Sequence, residues 1–531
     1  MLFSAQHIRY RDTAKFSKIV LDYIEEAAPL RPFYTAAPTA AGIKQALEAK
    51  QNQPIDRAVL VQVLKEQYNN ITESPEVAKN IEALLSPATF TICTAHQPNL
   101  FTGPLYFIYK ILHTIRLAED FTKQFPAYRF VPVYYMGSED ADKDELNHTY
   151  IHGKKYSWQT AQTGAVGRML IDKDVVQLLN EMAGQLNVLP FGQEIVQLLQ
   201  NCYTVGKTVQ AATFEIVHAL FKKFGLVVLI PDHGVLKKLM RAVFEDDLFR
   251  ELPSQIVEKT CAKLGQQYNV QAQPRAINLF YLEAGIRNRI VKEDRHFSVH
   301  ETSIRFTEAE LRAELENHPE RFSPNVILRG LFQETILPNI AFVGGGGELA
   351  YWLQLQDLFA HYKVPFPVLV LRNSFLIVEK EWQERLRKWN ISTELSFAPA
   401  LQIINAVLEK EGKLPQLNGE LTQLKAVYED LKKLAAGVDV TLDKHVEALK
   451  VRAVQQLQNL EKKMMRAERK KHESLQRQVH HFKETLFPNN GLQERAENIS
   501  VFYAKWGSGF IDELLQHSLS LEQQFTVLTE A

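Results

Sequence analysis

Four stretches carry polar residues of the types that do chemistry, each beside an apolar run. The first is "TAHQPNLFTGP" at 94–104, where His96, Gln97, Asn99 and Thr102 follow the β-rich "TFTICTA". A histidine placed there can act as a base or stabilise a developing charge. Gly103 and Pro104 read as a helix start with Thr102 as N-cap, and the free N–H groups of such a start favour an anion. A capped strand–helix joint with a satisfied histidine is the competing reading, and Tyr106 to Tyr109 read as packing residues. The stretch is neither a G-x-G-x-x-G nor a G-x-x-x-x-G-K-[ST] motif.

The second stretch, "MGSEDADKDELNH" at 136–148, packs Glu139, Asp140, Asp142, Asp144 and Glu145 ahead of Asn147 and His148. So many like charges cost stability unless cations or N–H donors balance them, and a helix N-terminus offsets part of that cost. The cluster suits a substrate ammonium, sugar hydroxyls, Mg²⁺ or a general base. It equally suits a solvated acidic first turn. The third stretch, "NIAFVGGGGELAYW" at 339–352, holds Gly344, Gly345, Gly346, Gly347, Glu348 and Tyr351. Each glycine costs roughly 0.5–1 kcal/mol against alanine in regular structure, so the run implies close backbone approach. Glu348 would repel a phosphate, which leaves a loop offering N–H donors and a carboxylate to an amine or a polyol; tight strand–helix packing is the alternative. In the fourth, Arg329, Gln333 and Glu334 interrupt apolar residues at 323–338, and Arg372 ends "VLVLR". A buried arginine needs an anionic partner, from the chain or from a ligand.

The elements that must position these residues alternate between strand and helix. Helical spacing appears at 12–28, 56–85, 104–121, 174–188 and 207–224, with apolar strands at 89–95, 128–137, 225–232, 339–347 and 365–372. Continuous runs such as "LVVLI" suit strands buried on both faces, so the pattern predicts an open, mostly parallel α/β sheet with helices on both faces. Ligands of such sheets bind outside the strand C-termini, where the four stretches fall. Residues 270–300 alternate like a β-hairpin turning at "EAGIRN", which reads as a cover or insert.

The last quarter changes character. Leu417, Leu421, Leu424, Leu431 and Leu434 form one apolar stripe; Leu442, Val446, Leu449, Ala453, Leu457, Leu460, Met464 and Ala467 form a second, resumed by Leu475, Val479, Phe482 and Leu486. "AAGVDVT" separates them, so the region reads as a coiled-coil-like helical hairpin with a basic, solvated outer face. A last helical segment is expected at 493–518.

Bulk properties narrow the function classes. At 531 residues the chain spans two to four domains at about 150 residues each. The 61 basic and 62 acidic residues give a formal charge of -1, which implies no global attraction to nucleic acid or membrane. Cys93, Cys202 and Cys261 are widely spaced, which predicts neither disulfides nor a metal site. No secretory signal or membrane-length apolar run is visible, so a reduced cytoplasm is expected.

"HQPNLFTGPLYFIYK", "VPVYYMGSEDADKDELNH", "GAVGRM", "SPNVILRGLFQETILPNIAFVGGGGELAYWLQL" and "LFPNNGLQERAENISVFY" together resemble the cysteine ligase family of bacillithiol biosynthesis, the BshC family. The resemblance implies a Rossmann-like core at 1–395 with inserts at about 150–225 and 235–325. It also implies an antiparallel coiled-coil hairpin at 396–490 that mediates homodimerisation, and a helical segment at 491–531 packing back on the core. The implied activity joins the cysteine carboxylate to the amine of glucosaminyl-malate, with ATP, alone or as its Mg²⁺ complex, activating the carboxylate. His96, Glu139, Asp140 and Asp142 are then the catalytic candidates. Gln97, Asn99, Thr102, Gly103, Asn147, His148, Arg329, Gln333, Gly344 to Gly347, Glu348, Tyr351 and Arg372 are the substrate-binding candidates, with no metal-ligand set. A nucleotidyl- or glycosyltransferase-like enzyme on the same sheet, or a non-catalytic coiled-coil metabolite-binding protein, are the alternatives.

Overall fold

The computed structural model describes residues 3–294 and 296–531. One unit comprises the chain to Leu376 together with Gly491–Leu528; the other comprises Ile377–Asn490 and Thr529–Ala531.

In the first unit five strands form a parallel sheet: β1 (Thr89–His96), β2 (Arg129–Met136), β3 (Val227–Leu229), β4 (Asn339–Gly344) and β5 (Val368–Leu371), in the order β5-β4-β1-β2-β3. The β1–β2 register runs from Thr89 opposite Arg129 to His96 opposite Met136. On its other edge β1 pairs with β4, Val343 facing Thr94. The chain therefore winds outward from β1 in one direction through β3, then returns to the other side of β1 with β4. At that reversal the crossovers leave toward opposite faces and a crevice opens beyond the strand ends. His96 and Gly344, the last residues of the two adjacent strands, flank it. The strands hold because Phe90, Ile92, Phe130, Val343, Val368 and Val370 share one core with Phe121.

Helix α1 (Tyr106–Gln124) carries the chain from β1 to β2 and is almost wholly buried. It starts later than expected, and Thr102 does not cap it: the N-cap position is Leu105, without a side-chain cap. Phe101 (φ 52°), Thr102 (φ 72°) and Gly103 (φ 60°) instead take successive left-handed conformations. Such a conformation costs a non-glycine residue roughly 1–2 kcal/mol. Only glycine fits at 103, where a Cβ would lie 2.6 Å from Asn99 Cβ. The stretch 326–336 is a helix, α2 (Val326–Ile336), and Gly346–Trp352 forms α3 directly after β4.

The expected hairpin at 270–300 is present as Leu279–Glu283 and Ile286–Glu293, turning at Gly285. It belongs to a five-stranded antiparallel sheet completed by His296–Val299, Arg305–Thr307 and Phe322–Pro324. The C-terminal region is not helical to its end: after helices Ile499–Trp506 and Gly509–Gln516 it closes with the strand Gln524–Glu530.

The second unit begins at Ile377 rather than at 396, because Trp382 and Trp389 pack against Phe482 at 5.7 Å. Its helices α4 (Asn418–Val438) and α5 (Leu442–Lys471) lie antiparallel, Lys450 meeting Glu429 at 2.7 Å and Lys432 meeting Glu447 at 3.4 Å. The second helix is not continuous to 486. It breaks at His472 and resumes as α6 (Glu473–Leu486). No helix among the described residues is long and apolar enough to cross a membrane.

His113 of α1 ties the first unit together. One ring nitrogen, Nδ1, accepts from Asn373 N at 3.0 Å, and Nε2 lies 2.7 Å from Ser520 O, which requires a neutral ring protonated on Nε2. Burial lowers its pKa from 6.5 to about 4. The unfolded chain therefore takes up this proton first as pH falls, and stability is lost between about 6.5 and 4. His113→Gln keeps a donor and an acceptor but does not titrate. Its stability should fall by about 3 kcal/mol less than that of the wild type across this interval, measured by denaturant unfolding at each pH.

Candidate active site at the sheet switch point

A cavity of about 480 Å³ opens beyond the ends of β1 and β4. His96, Gln97, Glu139, Asp140, Arg329, Gly345, Gly346, Gly347, Glu348, Tyr351 and Arg372 line it, so all four polar stretches contribute.

Charge in the cavity is unevenly compensated. Arg372 is 3% exposed and donates through Nη2 to Glu494 at 2.7 Å, while Nη1 donates to Asn373 O and Ser374 Oγ. Its Nε is buried without a partner. Arg329 donates to Tyr351 OH at 2.5 Å and Gln333 Oε1 at 3.4 Å, and stands over the rings of Tyr135 and Phe342. Both partners are neutral, so its charge is not met by a carboxylate in contact. His96 Nε2 is likewise buried and unpartnered, its ring packed 5.3 Å from Tyr106 and 5.1 Å from Phe107. Burial, aided by the charges of Lys110 and Arg372, holds His96 well below 6.5, so it is neutral at pH 7. These nitrogens line one cavity, and together they suit a carboxylate or phosphate group.

The carboxylates are mostly engaged. Glu348 accepts from Gly345 N at 2.8 Å and pairs with the buried Lys110 at 2.6 Å, whose ammonium also donates to Ala95 O. It is therefore a balanced cap of α3 rather than a free anion, and the repulsion of phosphate expected from it is offset. Gly346 and Gly347, in the first turn of α3, line the cavity, and the first N–H groups of a helix have no intrahelical partner. Glu139 is buried against Lys237, which also bonds Asp232 at 3.0 Å; Asp232 is held bidentately by Arg168. Burial raises the Glu139 pKa against the pull of Lys237. Asp140 accepts from Gln97 at 3.1 Å and lies 3.8 Å from Arg287. Glu145 stands at the rim, and partial burial with the charges of Asp142 and Asp140 raises its pKa.

Other predicted residues stand outside the lining. Asp142 caps the short helix Lys143–Leu146 through Glu145 N. Asn99 and Thr102 are buried behind the turn, and Gly103 packs on Asn99. Asn147 donates to Trp158 O, and His148 packs on Tyr150. Gln333 is fully buried, linking Arg329 to Glu334, itself paired with Lys50; Gly344 packs against Phe342 and Leu349. Among the described residues, no three His, Cys, Asp or Glu side chains are grouped to hold a metal. Cys93, Cys202 and Cys261 are buried thiols.

Sequence reasoning passed over Lys110, Tyr106, Arg287, Lys237 and Glu494. Lys110 had a signal, a lone cation in the apolar "LYFIYKIL". Lys237 and Glu494 had none, because the cavity residues they pair with, Glu139 and Arg372, are 98 and 122 residues away. The "GAVGRM" loop is a close fit rather than a polar motif: Gly167 N bonds Ser138 O at 3.0 Å, where a Cβ would come within 2.4 Å.

Residues 3–373 match the family model described as bacillithiol biosynthesis BshC, N-terminal Rossmann-like domain, and residues 375–530 match its C-terminal coiled-coil domain. Proteins named "Putative cysteine ligase BshC" are similar over the full length. The Flavobacterium psychrophilum protein is 37% identical, covering 99% of each chain. The Cytophaga hutchinsonii protein is 38% identical, covering 94% of each. The Flavobacterium johnsoniae protein is 36% identical, covering 98% of this chain and 99% of its own.

Removing one partner of a buried ion pair strands the other charge, at a cost of roughly 3–5 kcal/mol. Lys237→Met should lose stability of this order in denaturant unfolding. Adding Glu139→Gln should recover a large part, since Arg168 still neutralises Asp232.

Proposed function

The chain belongs to the BshC family of bacillithiol biosynthesis, and from that premise we propose that it is a ligase joining the carboxylate of cysteine to the amine of glucosaminyl-malate, driven by ATP. The observation that carries this reading is the set of uncompensated nitrogens in one cavity: Arg329 without a contacting carboxylate, and Arg372 Nε and His96 Nε2 without partners. A ligase for these substrates must hold the malate carboxylates and a phosphate-bearing group while keeping the amine close to an activated carboxylate. Arg329, Arg372 Nε and the N–H groups of Gly346 and Gly347 have the charge and donors for the anionic groups. The same nitrogens fit the phosphates of ATP, which when bound supplies the free energy of carboxylate activation.

The chain's own residues then divide the work. Neutral His96 offers a hydrogen bond from a dry wall, where it stabilises developing charge without repelling the cationic amine. Asp140, held in place by Gln97 and Arg287, faces the amine. The amine must lose a proton, and Glu145, its pKa raised, is better matched to receive it near neutrality than an ordinary carboxylate. Glu139 is held by Lys237 and shapes the acidic turn, while Asp142 caps the helix behind it.

We further propose that the protein acts in the cytoplasm as a homodimer through the hairpin. Leu431 and Leu434 on α4 and Leu442, Leu449, Leu460 and Met464 on α5, all on the apolar stripes, remain between 37% and 70% exposed. An apolar stripe of this kind gains by pairing with a second copy.

Purified protein given cysteine, glucosaminyl-malate and ATP should form bacillithiol, with AMP or ADP identified by mass spectrometry as the nucleotide product. His96→Ala and Asp140→Ala should stay folded and lose at least about a hundredfold in turnover, the scale of a lost charge-stabilising or proton-transfer group. Full product formation by both variants would remove the site assignment. Glutamate at Leu449, Leu457 and Leu460 should halve the mass in light scattering; an unchanged mass would mean that the stripe packs within one chain.

A further inference from the structure

The three successive left-handed residues at 101–103 are held in place from far along the chain. Asn498 Nδ2 lies 2.8 Å from Phe101 O and 2.7 Å from Gly103 O, with Thr149 Oγ1 at 3.1 Å and Thr102 Oγ1 at 3.4 Å. Its Oδ1 accepts from Ser500 N at 2.8 Å and caps the helix Ile499–Trp506, so both ends of the amide are engaged and its orientation is set. Tyr203 OH accepts from Phe101 N at 3.1 Å, and Glu497 O accepts from Leu105 N at 2.8 Å. A strained conformation persists only where its surroundings over-determine it, and such strain gathers at functional sites.

What the turn delivers lies in the cavity. It fixes the distance and angle between the end of β1, which carries His96, and the start of α1, which carries Tyr106 and Phe107. Those two rings pack on His96, and Tyr106 also lies 5.1 Å beneath the Arg372 guanidinium. Relaxing the turn would let α1 shift along β1 and carry with it the two rings that pack on His96.

We infer that Asn498, with Tyr203 in support, is a positioning residue for the ligase reaction proposed above: it clamps the strained 101–103 turn and so sets the place of His96 and Tyr106 in the cavity. Asn498 reaches no lining position itself.

The test uses the full-length protein labelled with ¹³C at histidine, the His96 resonance being assigned by its loss in His96→Ala. Asn498→Asp keeps shape and cap but removes the donors to both carbonyls; Tyr203→Phe removes the hydroxyl that accepts from Phe101 N–H. Each should move the His96 resonance and lower kcat at least tenfold while KM for either substrate stays within threefold. Should Asn498→Asp not fold, Tyr203→Phe carries the test. An unmoved His96 resonance, or a kcat within twofold of wild type, in a folded variant overturns the inference. A wild-type protein that makes no bacillithiol would sink the ligase reading alone, and the resonance would still decide whether the clamp sets His96.

Discussion

One buried ammonium joins the two halves of the site. Lys110, on the helix that follows β1, bonds the carbonyl of Ala95 at the end of that strand and the carboxylate of Glu348 in the first turn of α3, which follows β4. It therefore spans the point where the sheet reverses its winding. Glu348 in turn holds Gly345 N, which sets the first turn of α3 and the glycine backbone along the cavity. Burial pulls the Lys110 pKa down while Glu348 pulls it up, and the pair is worth keeping only because each charge is met at close range. Without the ammonium, the carboxylate would stand uncompensated beside the first N–H groups of α3 and would repel an anion brought to them.

The same accounting of charge separates scaffold from site. Glu139 has Lys237, Asp232 has Lys237 and Arg168, Glu334 has Lys50, and Arg372 has Glu494 for one edge of its guanidinium. Each of these holds two distant parts of the chain together. Within the cavity, Arg329 has no carboxylate in contact, and Arg372 Nε and His96 Nε2 have no partner. Buried polar atoms in proteins are mostly satisfied, so nitrogens of this kind lining one cavity are the basis of the proposed anion site.

The sheet was legible because its strands are continuous apolar runs and its helices keep their own period. The cavity residues of the polar stretches were legible because each stretch follows or faces a strand end, and a parallel sheet collects those ends on one edge. Three features hid the rest. Thr102 looks like an N-cap in sequence, but Asn498, 396 residues away, holds it in a left-handed turn that no local rule anticipates. Glu348 looked like a free carboxylate until folding set Lys110 beside it. Glu139 and Asp140 are adjacent in sequence, yet one turns inward to Lys237 and the other toward Gln97 and Arg287, a difference decided by long-range packing. The helical hairpin showed in its leucine stripes, but the aromatic packing of Trp382 and Trp389 that moves its boundary to 377 did not.

The central claim is that Arg329, which no carboxylate contacts, together with the unpartnered Arg372 Nε and His96 Nε2, forms the binding site for an anionic substrate. Calorimetric titration of glucosaminyl-malate into the wild-type protein and into Arg329→Met tests it most directly, because it needs neither turnover nor ATP. The account predicts saturable binding by the wild type, weakened at least tenfold in the variant, with melting temperature little changed. Equal affinity of the two proteins, or no binding by a folded wild type, would contradict it.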